Sequence, residues 1–160
     1  MSKMFATAGS ILEIGPEMAF DGDDLVAADF TSSTWTEVGG TTDLGTAGDT
    51  AQLITSDQVA RARTRKAKGT RNAGSMQVMC DLDYSDAGQL ALIAAEKSPR
   101  SFAFRITFND APGGGTPSRR MFIAYVMSTA ENLGGANSVQ QLQATLEIDS
   151  NIVRVAAASA

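Results

Sequence analysis

Strict alternation is the strongest constraint on this chain. From Ser75 to Tyr84, Met76, Val78, Cys80, Leu82 and Tyr84 fall on one face, and Ser75, Gln77, Met79, Asp81 and Asp83 on the other. Successive side chains of a strand point to opposite faces, so this period of two predicts a strand with one buried and one wet, acid-bearing face. The pattern recurs at Ser101–Asn109, where Phe102, Phe104, Ile106 and Phe108 oppose Ala103, Arg105, Thr107 and Asn109. It recurs again at Val139–Asp149, where Leu142, Ala144, Leu146 and Ile148 oppose Gln141, Gln143, Thr145, Glu147 and Asp149. Arg120–Ser128 is apolar on both faces, which predicts a strand covered from both sides.

Shorter strands are expected at Gln52–Thr55 and Ile152–Val155, and at Trp35–Leu44, where Gly39 and Gly40 bend the strand or mark a bulge. One helix is expected over about 86–97: Ser85 or Asp86 caps its start, Leu90, Ile93, Ala94 and Lys97 share one side, and Pro99 stops it. Turn residues punctuate the rest, most densely at Asp110–Ser118 with its three consecutive glycines. The fold class is therefore mainly β, an antiparallel sandwich or open barrel with a helix over one opening. A length of 160 residues suits a single domain. It divides into an N-terminal arm or first strand (1–34), a β core (35–155) and a tail (156–160).

Charge is unevenly spread. Arg61, Arg63, Arg65, Lys66, Lys68 and Arg71 supply 6 of the 13 Lys and Arg, with no acid among them, while all 18 acids lie elsewhere. A basic run that cannot neutralise itself needs a partner, and the sequence predicts it as a long loop over about 56–74. Nucleic acid is one candidate partner for 61–71, but no aromatic residue interleaves the run for base stacking, and the chain as a whole is acidic at −5.

The chain has no histidine, which removes the commonest general base and metal ligand together. Asp81 and Asp83 share a strand face, yet an exposed acidic face explains them without any reaction. Asp21–Asp24 lacks the ligand spacing and closing glutamate of a calcium loop, and Gly113–Gly115 lacks the Lys and Ser/Thr of a phosphate cradle. No catalytic residue, cofactor or metal is expected. Cys80, the single cysteine, falls on the apolar strand face and reads as a buried small hydrophobe. No apolar stretch is long enough for a membrane span, and no signal peptide is predicted.

The order of these features resembles the major tail tube proteins of tailed bacteriophages. The resemblance runs from Trp35, Val38, Gly39, Asp43 and Leu44 through the basic segment and the acid-faced strand into Asp86, Gly88, Gln89, Leu90 and Leu92, then Phe102–Asn109 and Leu142–Ile148. It implies a structural protein, not an enzyme, that forms hexameric rings stacked into a tube for genome delivery. The long non-contractile type is the nearest in character, with tubes of contractile or secretion systems as alternatives. The implied partners are further copies of the chain, a tape measure protein, a tail terminator and tail-tip or baseplate proteins. DNA would pass through without specific binding. The setting implied is the virion tail, assembled in the host cytoplasm. In such an assembly the basic segment is expected to contact acids of a neighbouring copy, with Asp21, Asp23, Asp24 and Asp29 as counter-charges. Gln77, Asp81, Asp83, Gln141, Gln143, Glu147 and Asp149 are expected to face the lumen.

Overall fold

The structure, a computed structural model, describes residues 3–31 and 34–159. Met1, Ser2, Ser32, Ser33 and Ala160, at the edges of the expected arm and tail, lie outside the described residues. In chain order the strands are β1 (Ile11–Glu17), β2 (Thr36–Val38), β3 (Thr41–Asp43), β4 (Thr50–Ser56), β5 (Arg65–Asn72), β6 (Ser75–Asp81), β7 (Phe102–Thr107), β8 (Arg119–Asn132), β9 (Gln141–Ile148) and β10 (Val153–Val155). A 3-10 helix spans Ala27–Phe30, and the α-helix, α1, spans Ala87–Lys97. The fold is mainly β and antiparallel with one α-helix, as the alternation predicts.

One sheet holds eight strands in the order β2-β1-β7-β8-β9-β6-β3, with β10 added against β8; β4 and β5 form a separate pair. β2 and β3 stand at opposite ends of that order, yet only Gly39 and Gly40 separate them in sequence. The sheet must therefore curl until its two edges meet at this turn. The expected single bent strand over 35–44 is thus two short strands that close a barrel-like wall. Gly40 makes the closure possible: its φ is +70°, and a Cβ there would lie 3.0 Å from the Asp81 carbonyl.

The interior of the curl is filled by alternate residues of the predicted strands, including Leu12, Met76, Val78, Phe104, Phe122 and Leu146, all at most 1% exposed. Phe104 and Phe122 stack with ring centroids 5.8 Å apart. Each such side chain contributes about 1.5–3 kcal/mol by leaving water. The other face of β7 and β8 carries a second cluster of Phe30, Ala103, Met121, Ile123 and Val153, roofed by Met18, Phe20, Leu25 and Trp35. The double coverage that the apolar 120–128 stretch requires is therefore supplied from outside by Met18, Phe20, Leu25, Phe30 and Trp35. β1 lies within the sheet, between β2 and β7, and passes the Gly15–Pro16 break with a register shift between Ile14 and Glu17.

α1 seals the closing turn. Asp86 caps the helix, its carboxylate accepting from the Gln89 N–H at 2.9 Å and the Gly39 N–H at 3.0 Å. The buried Gln89 side chain donates to the carbonyls of Gly39 (2.9 Å) and Asp81 (2.8 Å) and accepts from the Asp83 N–H (2.9 Å). Gly88 lets the helix backbone approach β2, since a Cβ there would sit 2.1 Å from the Glu37 carbonyl oxygen. The inward face is consequently Gly88, Gln89, Leu92 and Ala95. The side shared by Leu90, Ile93, Ala94 and Lys97 is the more exposed one, with Ile93 half-buried and Leu90 46% exposed. Hydrogen bonds to the turn, not the size of the apolar side chains, fix the rotation of this short helix.

The segment expected as a basic loop over 56–74 is in part strand: Arg65–Asn72, which carries four of the six cations, is β5. β5 pairs antiparallel with β4 from Thr50↔Asn72 to Ser56↔Arg65, with a register shift between Ala51 and Leu53. The connection from residue 57 to 64, and Ala73 and Gly74 before β6, are irregular. Polar composition concealed the strand, because here it is backbone pairing and not a buried face that orders it.

Candidate assembly surfaces

Two surfaces stand out, and the first is the β4–β5 hairpin. It leaves the sheet between β3 and β6 and, among the described residues, pairs with no other strand. Nearly all of its residues are exposed, among them Leu53 (62%) and Ile54 (50%). Register places Leu53, Thr55, Lys66 and Lys68 on one face, and Ile54, Ser56, Arg65 and Ala67 on the other. One face thus joins Leu53 to two lysines, and the other joins Ile54 to Arg65. A two-stranded hairpin without a packed face is marginal in water. Leu53, Ile54 and the exposed Val59 at the tip are contact candidates that charge patterning does not single out; the adjacent Leu53–Ile54 pair is their signal in the sequence.

Of the six cations, Arg71 at the hairpin root is bound within the chain, its Nε donating to Asp49 at 2.7 Å. Among the described residues, Arg61, Arg63, Arg65, Lys66 and Lys68 have no carboxylate within 4.0 Å. The expected counter-charges lie apart from the hairpin tip. Asp24 lines a cleft at the hairpin root with Asp49, Arg71 and Asp149. Asp21 accepts from the Asp23 N–H (3.1 Å), and Asp29 accepts from the Val26 N–H (2.8 Å) at the start of the 3-10 helix.

The second surface is the outer face of β6, β9 and the C-terminal half of β8. Registers Gln77↔Thr145, Met79↔Gln143 and Asp81↔Gln141 put the polar residues of β6 and β9 side by side, and Gln143 donates to Gln77 at 3.1 Å. Glu147 stands beside Ser75 and Tyr125. No Lys or Arg occurs in β6, β9 or Tyr125–Asn132. Asp83 lies beyond the end of β6, where its carboxylate accepts from the N–H (2.9 Å) and hydroxyl (2.6 Å) of Ser85; these bonds hold it below the usual carboxylate range. Asp149 likewise lies one residue past β9, and its N–H donates to the Ile123 carbonyl. Gln77, Asp81, Gln141, Gln143 and Glu147 therefore share one sheet face, whereas Asp83 and Asp149 occupy turns at its two ends.

Beyond Ala124, β8 pairs with β9 on one side and, among the described residues, with no strand on the other. Met127, 61% exposed, sits there at a register shift. Cationic residues of the sheet gather at its other end, where Arg105 holds Glu13 in a two-point pair (3.0 and 2.7 Å) and stacks on Trp35. Cys80 is fully buried, and burial pushes its thiol up, so it is inert. No group of three or more acidic or Cys side chains is placed to hold a metal among the described residues.

No protein-family model and no curated protein matches the sequence. Solved structures share its fold. A chain of the anti-feeding prophage baseplate, 6-fold symmetrised, superposes with a TM-score of 0.71 at 10% identity, covering 98% of both chains. A chain of an extracellular contractile injection system, from its sheath/tube terminator in the extended state, gives 0.70 at 10% identity, covering 97% of this chain and 99% of that one. The SPP1 tail tube gives 0.63 at 13% identity, covering 96% of this chain and 80% of that one. The fold seen in these tubes and tube-associated particles accounts for nearly the whole chain.

Proposed function

We propose that this chain is the tube-forming subunit of a phage tail or phage-tail-like particle, assembling into hexameric rings that stack into a conduit. The observation that carries this reading is the β4–β5 hairpin, whose two edges, five cations and exposed Leu53, Ile54 and Val59 find no counterpart among the described residues. Such an element becomes stable when a neighbouring copy covers it. The fold shared with the SPP1 tail tube and with a 6-fold symmetrised baseplate chain supports the same reading. The unpaired stretch of β8 after Ala124 offers an edge on which a neighbour can continue the sheet within a ring.

In this assembly the hairpin contacts the next copy through Arg61, Arg63, Arg65, Lys66 and Lys68. The acidic residues Asp21, Asp23, Asp24 and Asp29 are the proposed counter-charges. The cation-free face of Gln77, Asp81, Gln141, Gln143 and Glu147 lines the lumen. Asp83 and Asp149 stand at the two ends of that face. A polyanion moving past wall cations would be held by counterion release, and acids and amides avoid this. The partners are a tape measure protein, a terminator and tip or baseplate proteins, in a non-contractile tail or in the tube of a contractile system. The particle forms in the host cytoplasm and resides in the virion tail.

Negative-stain imaging and sedimentation of the concentrated protein test the proposal, with rings or tubes expected. A monomer at every concentration, including in the presence of a tail-initiation complex, overturns it. A salt-dependent shift of DNA by such a monomer would instead make the hairpin a nucleic-acid contact.

A further inference from the structure

A recess lies at the end of the sheet where β8 begins, and its mouth is cationic. Arg120 of β8 and Arg154 of β10 are direct cross-strand partners, so their side chains leave the same face of the sheet. Both line a cavity of about 210 Å³ whose walls include Met76, Ile106, Phe108 and Ile152. Arg120 lies over the Phe108 ring, 4.9 Å from its centroid, which fixes its direction. Like charges placed opposite each other on a strand pair destabilise it, and among the described residues neither arginine has a carboxylate within 4.0 Å. Asp110, the acid whose charge acts on Arg120, is spent on the Ser118 N–H (2.8 Å) and hydroxyl (2.6 Å). Burial, then the Arg154 charge, lowers Arg120 from its ordinary range, and Asp110 only partly offsets this.

We infer that this mouth is a carboxylate-binding site in which Arg120 and Arg154 clamp an acidic side chain of a second copy of the chain. Two guanidinium groups converging on an apolar recess suit a carboxylate carried on a side chain, because the planar fork pairs with its two oxygens while the walls take its methylenes. The second copy is favoured by β8 itself. This strand begins at the mouth with Arg119 and Arg120 and carries Glu131 near its far end, where the carboxylate accepts from the Tyr84 hydroxyl, so copies arranged head to tail set an acidic end against a cationic one. This choice of occupant rests on the proposed self-assembly; the carboxylate site does not.

Glutarate serves as the probe on the unassembled chain, with sodium chloride at matched ionic strength as control. Glutarate should raise the wild-type Tm saturably by about 2 °C or more, and Arg154→Gln should abolish the difference between the two salts. Equal responses to glutarate and chloride, or the same response in both proteins, overturn the site. Arg154→Glu supplies the carboxylate from within, so it should stop responding to glutarate, keep or raise its Tm, and fail to polymerise. Normal polymerisation of Arg154→Glu overturns the second copy as occupant. A wild-type chain that never polymerises removes the tube reading, and the glutarate comparison still decides the site.

Discussion

The Gln89 side-chain amide donates to the Gly39 carbonyl at 2.9 Å, joining the first buried turn of α1 to a residue fifty positions earlier in the chain. That bond sits where β2 and β3, the two ends of the sheet order, meet. The same amide also holds Asp81 and Asp83, so one side chain ties the closing turn, the end of β6 and the helix start together.

Gln89→Leu keeps the bulk and removes every one of these bonds. It strands the Gly39 and Asp81 carbonyls and the Asp83 N–H, each worth about 1–3 kcal/mol when left unsatisfied. With water reaching part of the turn, the expected loss is about 2–4 kcal/mol, read as a lower urea midpoint at unchanged slope. A loss under about 1 kcal/mol would mean that the closure is held by the strands alone.

The hairpin should be an assembly element and not a folding element. Arg63→Glu combined with Arg65→Glu changes exposed groups that have no carboxylate partner among the described residues, so unfolding should shift by no more than about 0.5 kcal/mol. Polymerisation should be blocked, because misplaced charge at an interface costs several kcal/mol. Sedimentation of the double variant gives the answer, and tubes of normal length would remove the hairpin from the contact.

The cation-free face can be tested by charge. Asp81→Lys with Glu147→Lys alters two exposed positions on the β6–β9 face. If that face lines the conduit, particles should assemble and then deliver DNA several-fold more slowly, through the phosphate attraction that the wild type lacks. Dye-release kinetics of assembled particles measure this, and unchanged delivery places the face on the outer wall.

Asp110 predicts a particular acid sensitivity. Its bonds to Ser118 hold the carboxyl below its ordinary value. A carboxylate depressed by folding contributes stability that is present above the unfolded pKa, about 3.9, and lost as pH falls through the folded value. Asp110→Asn should therefore cost stability at neutral pH, and the difference from wild type should shrink as pH drops below about 4. A difference that is flat with pH would show that the Ser118 contact does not depend on the charge.

Much of the fold is legible in the sequence because strands with one buried face must alternate. Met76, Val78 and Cys80, Phe104 and Ile106, and Leu142, Ala144, Leu146 and Ile148 all lie in the core cluster to which the period of two assigns them. The doubly apolar stretch around Ile123 also required two covers. A cap at Ser85 or Asp86 was readable from their position before the helix, and the structure uses Asp86. What local pattern does not contain is the choice among surfaces that no pattern distinguishes. Polar β5 is ordered by backbone pairing with β4, and period analysis cannot see a strand that has no buried face. The rotation of α1 is set by Gln89 and Gly88 meeting the Gly39–Gly40 turn, and that turn became a closure only when β2 and β3 were carried to opposite ends of the sheet. Arg120 and Arg154 lie 34 residues apart and became neighbours only through the β8–β10 register. The sequence by itself determined which faces are apolar, because that depends on residues two apart; tertiary structure decided which polar groups meet, because that depends on how the sheet curls.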